Sequence, residues 1–116
     1  MMKRLLWVDD CRNPNEADWL RHSPIAPPFE VHWAKSYDES VAYLERHWPD
    51  AVCMDHDLGE ERTGYDIAKY IVNRCQTEGL PLPAFASQSD NPIGRENILR
   101  LLDNYKRFAT DYLDNK

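Results

Sequence analysis

The chain has 116 residues, 42% of them hydrophobic, with a formal net charge of −6. This length fits one domain, residues 1–116, and the negative balance argues against an extended DNA-binding surface. The apolar runs are too short for a signal peptide or a membrane span, and Cys11, Cys53 and Cys75 form neither a disulfide nor a zinc pattern, so a cytoplasmic protein is expected.

The first element is a strand over residues 5–9, where Leu5-Leu6-Trp7-Val8 runs into Asp9-Asp10. Asn13, Pro14 and Glu16 carry capping-box signals for a short helix over 14–22. The segment 23–28, with Pro24, Pro27 and Pro28, reads as a stiff surface connection. Alternation over 29–34 predicts a half-exposed edge strand. Ser36 and Glu39 form a second capping signal, opening a helix to about His47 with Val41, Leu44 and Trp48 on one face.

A third strand is expected over 51–55, where Ala51-Val52-Cys53-Met54 ends in Asp55-His56-Asp57. Gly64 precedes a helix carrying Ile67, Ala68, Ile71, Val72 and Cys75 at helical spacing, stopping near Gly79. A fourth strand follows over 83–87, with Pro83 tolerable only at its start. Asn91 and Pro92 cap a last helix, predicted to turn Ile98, Leu101, Leu102, Tyr105, Phe108 and Tyr112 to the core. Right-handed crossovers make this a three-layer α/β sandwich around a four-stranded parallel sheet of order 2-1-3-4. Its switch point lies between strands one and three.

Both acidic strand ends fall at that switch point, which would bring Asp9, Asp10, Asp55 and Asp57 together. Crowded carboxylates raise each other's pKa unless a cation shares the site. A hard divalent ion, Mg²⁺ or Mn²⁺, suits such oxygens. His56, between two acids, is a candidate proton donor or acceptor. The N–H groups opening the last helix, with the Ser89 hydroxyl, offer an anion dock. Arg12 and Arg95 are the neighbouring cations, and Tyr65 is the aromatic candidate for stacking on a base. The tryptophans read as packing residues.

Asp9-Asp10, Asp55, Leu58 and Gly64 resemble the pattern of response-regulator receiver domains, with Ser87 or Ser89 at the end of strand four. The receiver's fifth strand and pocket lysine have no counterpart, since Lys106 falls within the last helical pattern. A fuller resemblance, over nearly the whole chain, is to the cyclic-phosphate-processing receiver-like family. It rests on Leu6 to Pro14, on Asp55-His56-Asp57-Leu58-Gly59 with Thr63-Gly64-Tyr65-Asp66, and on Ser87 to Gly94 with Asn97-Ile98. Gln88 stands where that family often has histidine.

The resemblance implies a receiver/flavodoxin-like fold without its fifth strand. It also implies a metal held by Asp9, Asp10 and Asp55 with the Asp57 carbonyl, and a phosphate site at Ser89, Asn91, Gly94 and Arg12. The implied substrate is a small phosphate-bearing molecule or an RNA 2′,3′-cyclic phosphate end. Asp55, His56 and Ser89 are the catalytic candidates, with Asp55 either a metal ligand or the nucleophile of an aspartyl-phosphate. Two alternatives stand beside this: a signalling receiver phosphorylated on Asp55, and a metal- or phosphate-binding module without catalysis. An open edge at strand four leaves room for a homodimer.

Overall fold

The computed structural model describes residues 2–114, with side chains through Ala109. The elements run β1 (Lys3–Val8), a 3₁₀ turn (Trp19–His22), β2 (Phe29–Ala34), α1 (Tyr37–Arg46), β3 (Ala51–Met54), α2 (Gly64–Glu78), β4 (Ala84–Ala86) and α3 (Pro92–Asp114). The four strands are parallel in the order β2-β1-β3-β4. No helix among the described residues is long and apolar enough to cross a membrane.

The two central strands explain their unbroken apolar runs. Leu6 and Val8 of β1, with Val52 and Met54 of β3, face one side and pack on Leu44, Ile67, Ile71, Ile98 and Leu102 of the three helices. Leu5, Trp7, Ala51 and Cys53 face the other side. Residues buried on both faces have no polar positions to alternate with. In β2, by contrast, Glu30 and His32 are exposed while Ala34 is buried, as expected of an edge.

All three α-helices lie on the first face, so the second is covered differently from a second helical layer. There, Trp19, Leu20 and Ile25 of the β1–β2 crossover pack over Trp7 and Cys53. The helix expected over 14–22 shortens to the 3₁₀ turn Trp19–His22. Asn13 Oδ1 accepts from the Asn15 N–H, and Ala17 and Asp18 take left-handed backbone angles. A helix cannot run through two such residues. Bringing the indole of Trp19 down onto the sheet prevails over the local capping signal.

The remaining helix boundaries follow their caps. Ser36 Oγ accepts from the Glu39 N–H, and Gly79 closes α2 in a left-handed conformation. At the start of α2, Thr63 Oγ1 accepts from the Asp66 N–H while the Asp66 carboxylate accepts from the Thr63 N–H, a complete capping box. The Thr63 N–H, followed by Lys69, holds the Asp66 carboxyl below the usual carboxylate range. A lowered folded pKa contributes stability above the unfolded value, near 4, and loses it as pH falls through the folded one. Asp66→Asn is expected to lower stability by about 1 kcal/mol at pH 7. In thermal melts from pH 7 to pH 3, the gap between variant and wild type should close.

α3 differs from expectation at its far end. Ile98 and Leu102 are buried and Leu101 and Tyr105 half-buried, but Phe108 is 61% exposed. A 23-residue helix is about 34 Å long at 1.5 Å per residue, so α3 outruns the short strand β4. The side chain of Tyr112 lies outside the described residues. No fifth strand follows β4 among the described residues.

Candidate phosphate and metal site

The site forms where β1 and β3 end side by side. The Asp55 N–H donates to the Val8 carbonyl at 2.8 Å, extending the β1–β3 ladder by one residue and setting Asp55 beside Asp9. Asp9 is fully buried, and Asp55 is 5% exposed. Asp9 Oδ1 accepts from the Cys11 and Arg12 N–H groups at 3.0 and 2.8 Å, which folds the chain back over the strand end. The returning loop is pinned by Trp7 Nε1, which donates to the Arg12 carbonyl at 2.9 Å.

This return places the Arg12 guanidinium among the acids. Its Nη1 lies 3.2 Å from Asp9 Oδ2 and 3.4 Å from Asp55 Oδ2, and its Nη2 pairs with Asp90. Burial works against the Arg12 charge, but the hydrogen bond to Asp9 and the charges of Asp9, Asp90 and Asp55 outweigh it, raising its pKa. Burial, then the charge of Asp9, pushes the Asp55 carboxyl above its ordinary value. A hydrogen bond from Ser89 and the charge of Arg12 act in the opposite direction.

The sequence candidates divide in space. Asp9, Asp55, Ser89 and Arg12 meet directly. Asp10 is exposed, with Oδ2 3.1 Å from where a Cβ on Gly59 would stand. The Asp57 carboxylate does not join the cluster. It accepts from Asn91 Nδ2 at 3.2 Å and lies 2.9 Å from His56 Nδ1, which holds it on the solvent side. The His56 contact, and then that of Asn91, lowers its pKa. Asn91 caps α3 as expected, its Oδ1 accepting from the Gly94 N–H at 3.0 Å. That N–H, expected to meet a phosphate, is therefore already engaged, because a cap side chain accepts from the third helical residue. Tyr65 packs against the main core, with the Lys69 ammonium 5.3 Å over its ring.

Two participants were not singled out for the site from sequence. Asp90 pairs with Arg12 across 78 residues of chain, and no local pattern signals such a contact. Gln88 Nε2 donates to the Val8 carbonyl at 3.0 Å and to Asp9 Oδ2 at 3.2 Å. The departure from the family's histidine at this position was the available signal.

The donor set suits a hard divalent cation. Asp9, Asp10 and Cys11 each offer a ligand atom within 4.8 Å of the others. Desolvation, then the charges of Asp9 and Asp10, pushes the Cys11 thiol up, so it stays protonated and is a poor ligand. The buried pair Asp9–Asp55 calls for a cation, a need that Arg12 already meets in part. Asp9 and Asp10 are the carboxylates placed to share a cation. Asp55, expected beside them, is not within that group and would join it only by a shift of its side chain.

The model of the cyclic-phosphate processing receiver domain matches residues 4–104. The chain belongs to that family. Its fold is similar to the phosphorylated cyanobacterial phytochrome response regulator RcpA, with a TM-score of 0.55 and 18% identity, covering 100% of this chain and 97% of that one. It is also similar to the signal receiver domain of a protein described as a Luxo repressor from Vibrio parahaemolyticus, with a TM-score of 0.53 and 14% identity over 95% and 97% of the two chains. Identities this low speak for the fold alone. No curated protein matches the chain at a significant level.

Proposed function

We propose that this receiver-family protein binds a divalent cation and a phosphate ester at the β1–β3 switch point and opens cyclic phosphates there, such as an RNA 2′,3′-cyclic end. The observation that carries the reading is the buried pair Asp9 and Asp55, bridged by Arg12. Two buried carboxylates kept close in an otherwise apolar strand end are costly to stability. Their place at the topological switch point of a parallel sheet is where ligands of such folds bind.

A cation held by Asp9, Asp10 and Asp55 supplies neutralisation of charge on the phosphoryl oxygens. The chain's own groups do the rest. Arg12 turns its fork from the carboxylates to the phosphate, where paired N–H donors match two oxygens. The Ser89 hydroxyl donates to the same group. Asp57, kept ionised by its contact with His56, favours a proton on Nδ1 and leaves Nε2 to take or give a proton at the ester oxygen.

The test is turnover. The purified chain is incubated with short RNAs ending in 2′,3′-cyclic phosphate, with Mg²⁺ or Mn²⁺ and with chelator. Metal-dependent ring opening is expected. No product with either metal overturns the reading. Stable labelling of Asp55 by a small phosphodonor would then favour a signalling receiver.

A further inference from the structure

A cavity of about 360 Å³ opens beside the acidic centre, on the face of the sheet without α-helices. Its floor includes Trp7, and Trp19, His22, Gln88, Ser89 and Arg95 are among its walls. Gln88 and Asp90 belong to both places, since Gln88 Nε2 donates to Asp9 Oδ2 at 3.2 Å and Asp90 pairs with Arg12. A phosphate held at the acidic centre therefore puts the group esterified to it at the mouth of this cavity.

We propose that the cavity is a nucleobase subsite, so that the ester taken at the neighbouring centre is a nucleotide. The inference rests on the proposed phosphate chemistry for the placement of the phosphate, and on the cavity alone for the base. Its volume suits a small ligand of about that size. Trp19 is half-buried and keeps part of its surface open, with its ring 6.5 Å from that of Trp7 and 6.3 Å from that of His22. The Arg12 guanidinium stands 5.4 Å from the Trp19 centroid, linking this aromatic wall to the acids. Flat rings beside a cationic fork are the elements that stack a base without reading its identity.

Two further observations favour a ligand here. Gln88 Oε1 is the buried side-chain polar atom without a hydrogen-bond partner among the described residues. The amide cannot flip to relieve this, because Nε2 already serves two acceptors, Val8 O and Asp9 Oδ2. Gln88 lines the cavity, so a ligand seated there lies beside this orphaned acceptor. Arg95 also lines the cavity, and no hydrogen bond or ion pair engages its guanidinium among the described residues. It is placed to meet a second phosphate of the same strand.

The experiment titrates the full chain with adenosine 2′,3′-cyclic phosphate, with glycerol 1,2-cyclic phosphate, which has no base, and with adenosine, which has no phosphate. Binding is followed by tryptophan fluorescence and calorimetry, with and without Mg²⁺. The cyclic nucleotide is expected to bind at least about tenfold tighter than the glycerol ester, the effect of one stacked base. Trp19→Ala should erase that ratio, bringing the cyclic nucleotide down to the glycerol ester's affinity for the same variant. His22→Ala, on an exposed side chain, should reduce it in the same direction and serves if Trp19→Ala does not fold. Equal affinity for the two esters overturns the subsite and leaves the phosphate reading standing. Trp19-dependent binding of adenosine, with no gain from the phosphate, keeps the subsite and overturns the phosphate reading. Failure of all three probes to bind overturns both.

Discussion

Asp55→Asn is expected to melt at a higher temperature than wild type in metal-free buffer at pH 7, and to lose ring opening altogether. Burial and the charge of Asp9 raise the Asp55 carboxyl's pKa. A folded pKa above the unfolded one means that the native state holds the proton more tightly. Stability is then fully present below the unfolded value and is lost as pH rises through the folded value. At pH 7 the wild type carries that loss, and an uncharged amide of the same shape does not. A gain of about 1 kcal/mol is reasonable for removing a destabilising site charge. It corresponds to a rise of roughly 4 °C in a domain of this size.

The same substitution should abolish the response to metal. Ligand that binds only the native state raises stability by about 2.7 kcal/mol at a hundredfold excess over its Kd. Wild type should therefore melt higher with added Mg²⁺ or Mn²⁺, while Asp55→Asn should show no shift. Melting with and without added metal reads both effects in one plate. A variant that melts lower than wild type without metal would contradict the electrostatic account. A variant that keeps its metal shift would remove Asp55 from the ligand set.

Gly64→Ala is expected to be the most damaging single-methyl change in the chain. A Cβ on Gly64 would lie 2.0 Å from the Asp55 carbonyl oxygen and 2.9 Å from its carbon, with Ile98 Cδ1 at 3.2 Å. The first two atoms are backbone, held by the β1–β3 ladder and by the 2.8 Å bond from the Gly64 N–H to the His56 carbonyl. Neither can move without displacing Asp55. The cost should reach or exceed about 3 kcal/mol, the upper end of ordinary overpacking. That is a fall of some 10–20 °C in melting temperature.

Gly94→Ala provides the contrast. There the new Cβ meets His56 at 2.3 Å, but the atoms it meets are side-chain atoms. Rotation clears the imidazole, but His56 Cβ stays 2.8 Å away, so a small backbone shift is also needed. The loss of stability should be smaller than at Gly64, where a backbone oxygen at 2.0 Å must move, and the His56–Asp57 contact is broken. Melting curves of the two variants side by side test the distinction. Equal losses would mean that His56 is held as rigidly as the backbone.

Much of this protein is legible in its sequence. The apolar runs Leu5–Val8 and Ala51–Met54 identify the central strands, because only a strand covered on both faces needs apolar residues at every position. Alternation marks β2 as an edge, helical signals between strands point to a parallel sheet, and the order β2-β1-β3-β4 is the expected one. With that order, the convergence of Asp9 and Asp55 is a consequence of chain direction, and the Asn91 cap follows from a short local pattern.

What only the tertiary structure decided lies in contacts between distant segments. Arg12 bridges Asp9, Asp55 and Asp90, and Asp57 turns outward to His56 and Asn91. The expected helix over 14–22 yields to a 3₁₀ turn that lays Trp19 over the second face. Phe108 falls beyond the end of the sheet that α3 covers. Each outcome depends on which groups meet across the fold, where burial and charge pairing outweigh local preferences of a few tenths to about 1 kcal/mol per residue. Local pattern carries the period of an element and its caps. The partner of a side chain, and the face left open beside it, exist only once the sheet has formed.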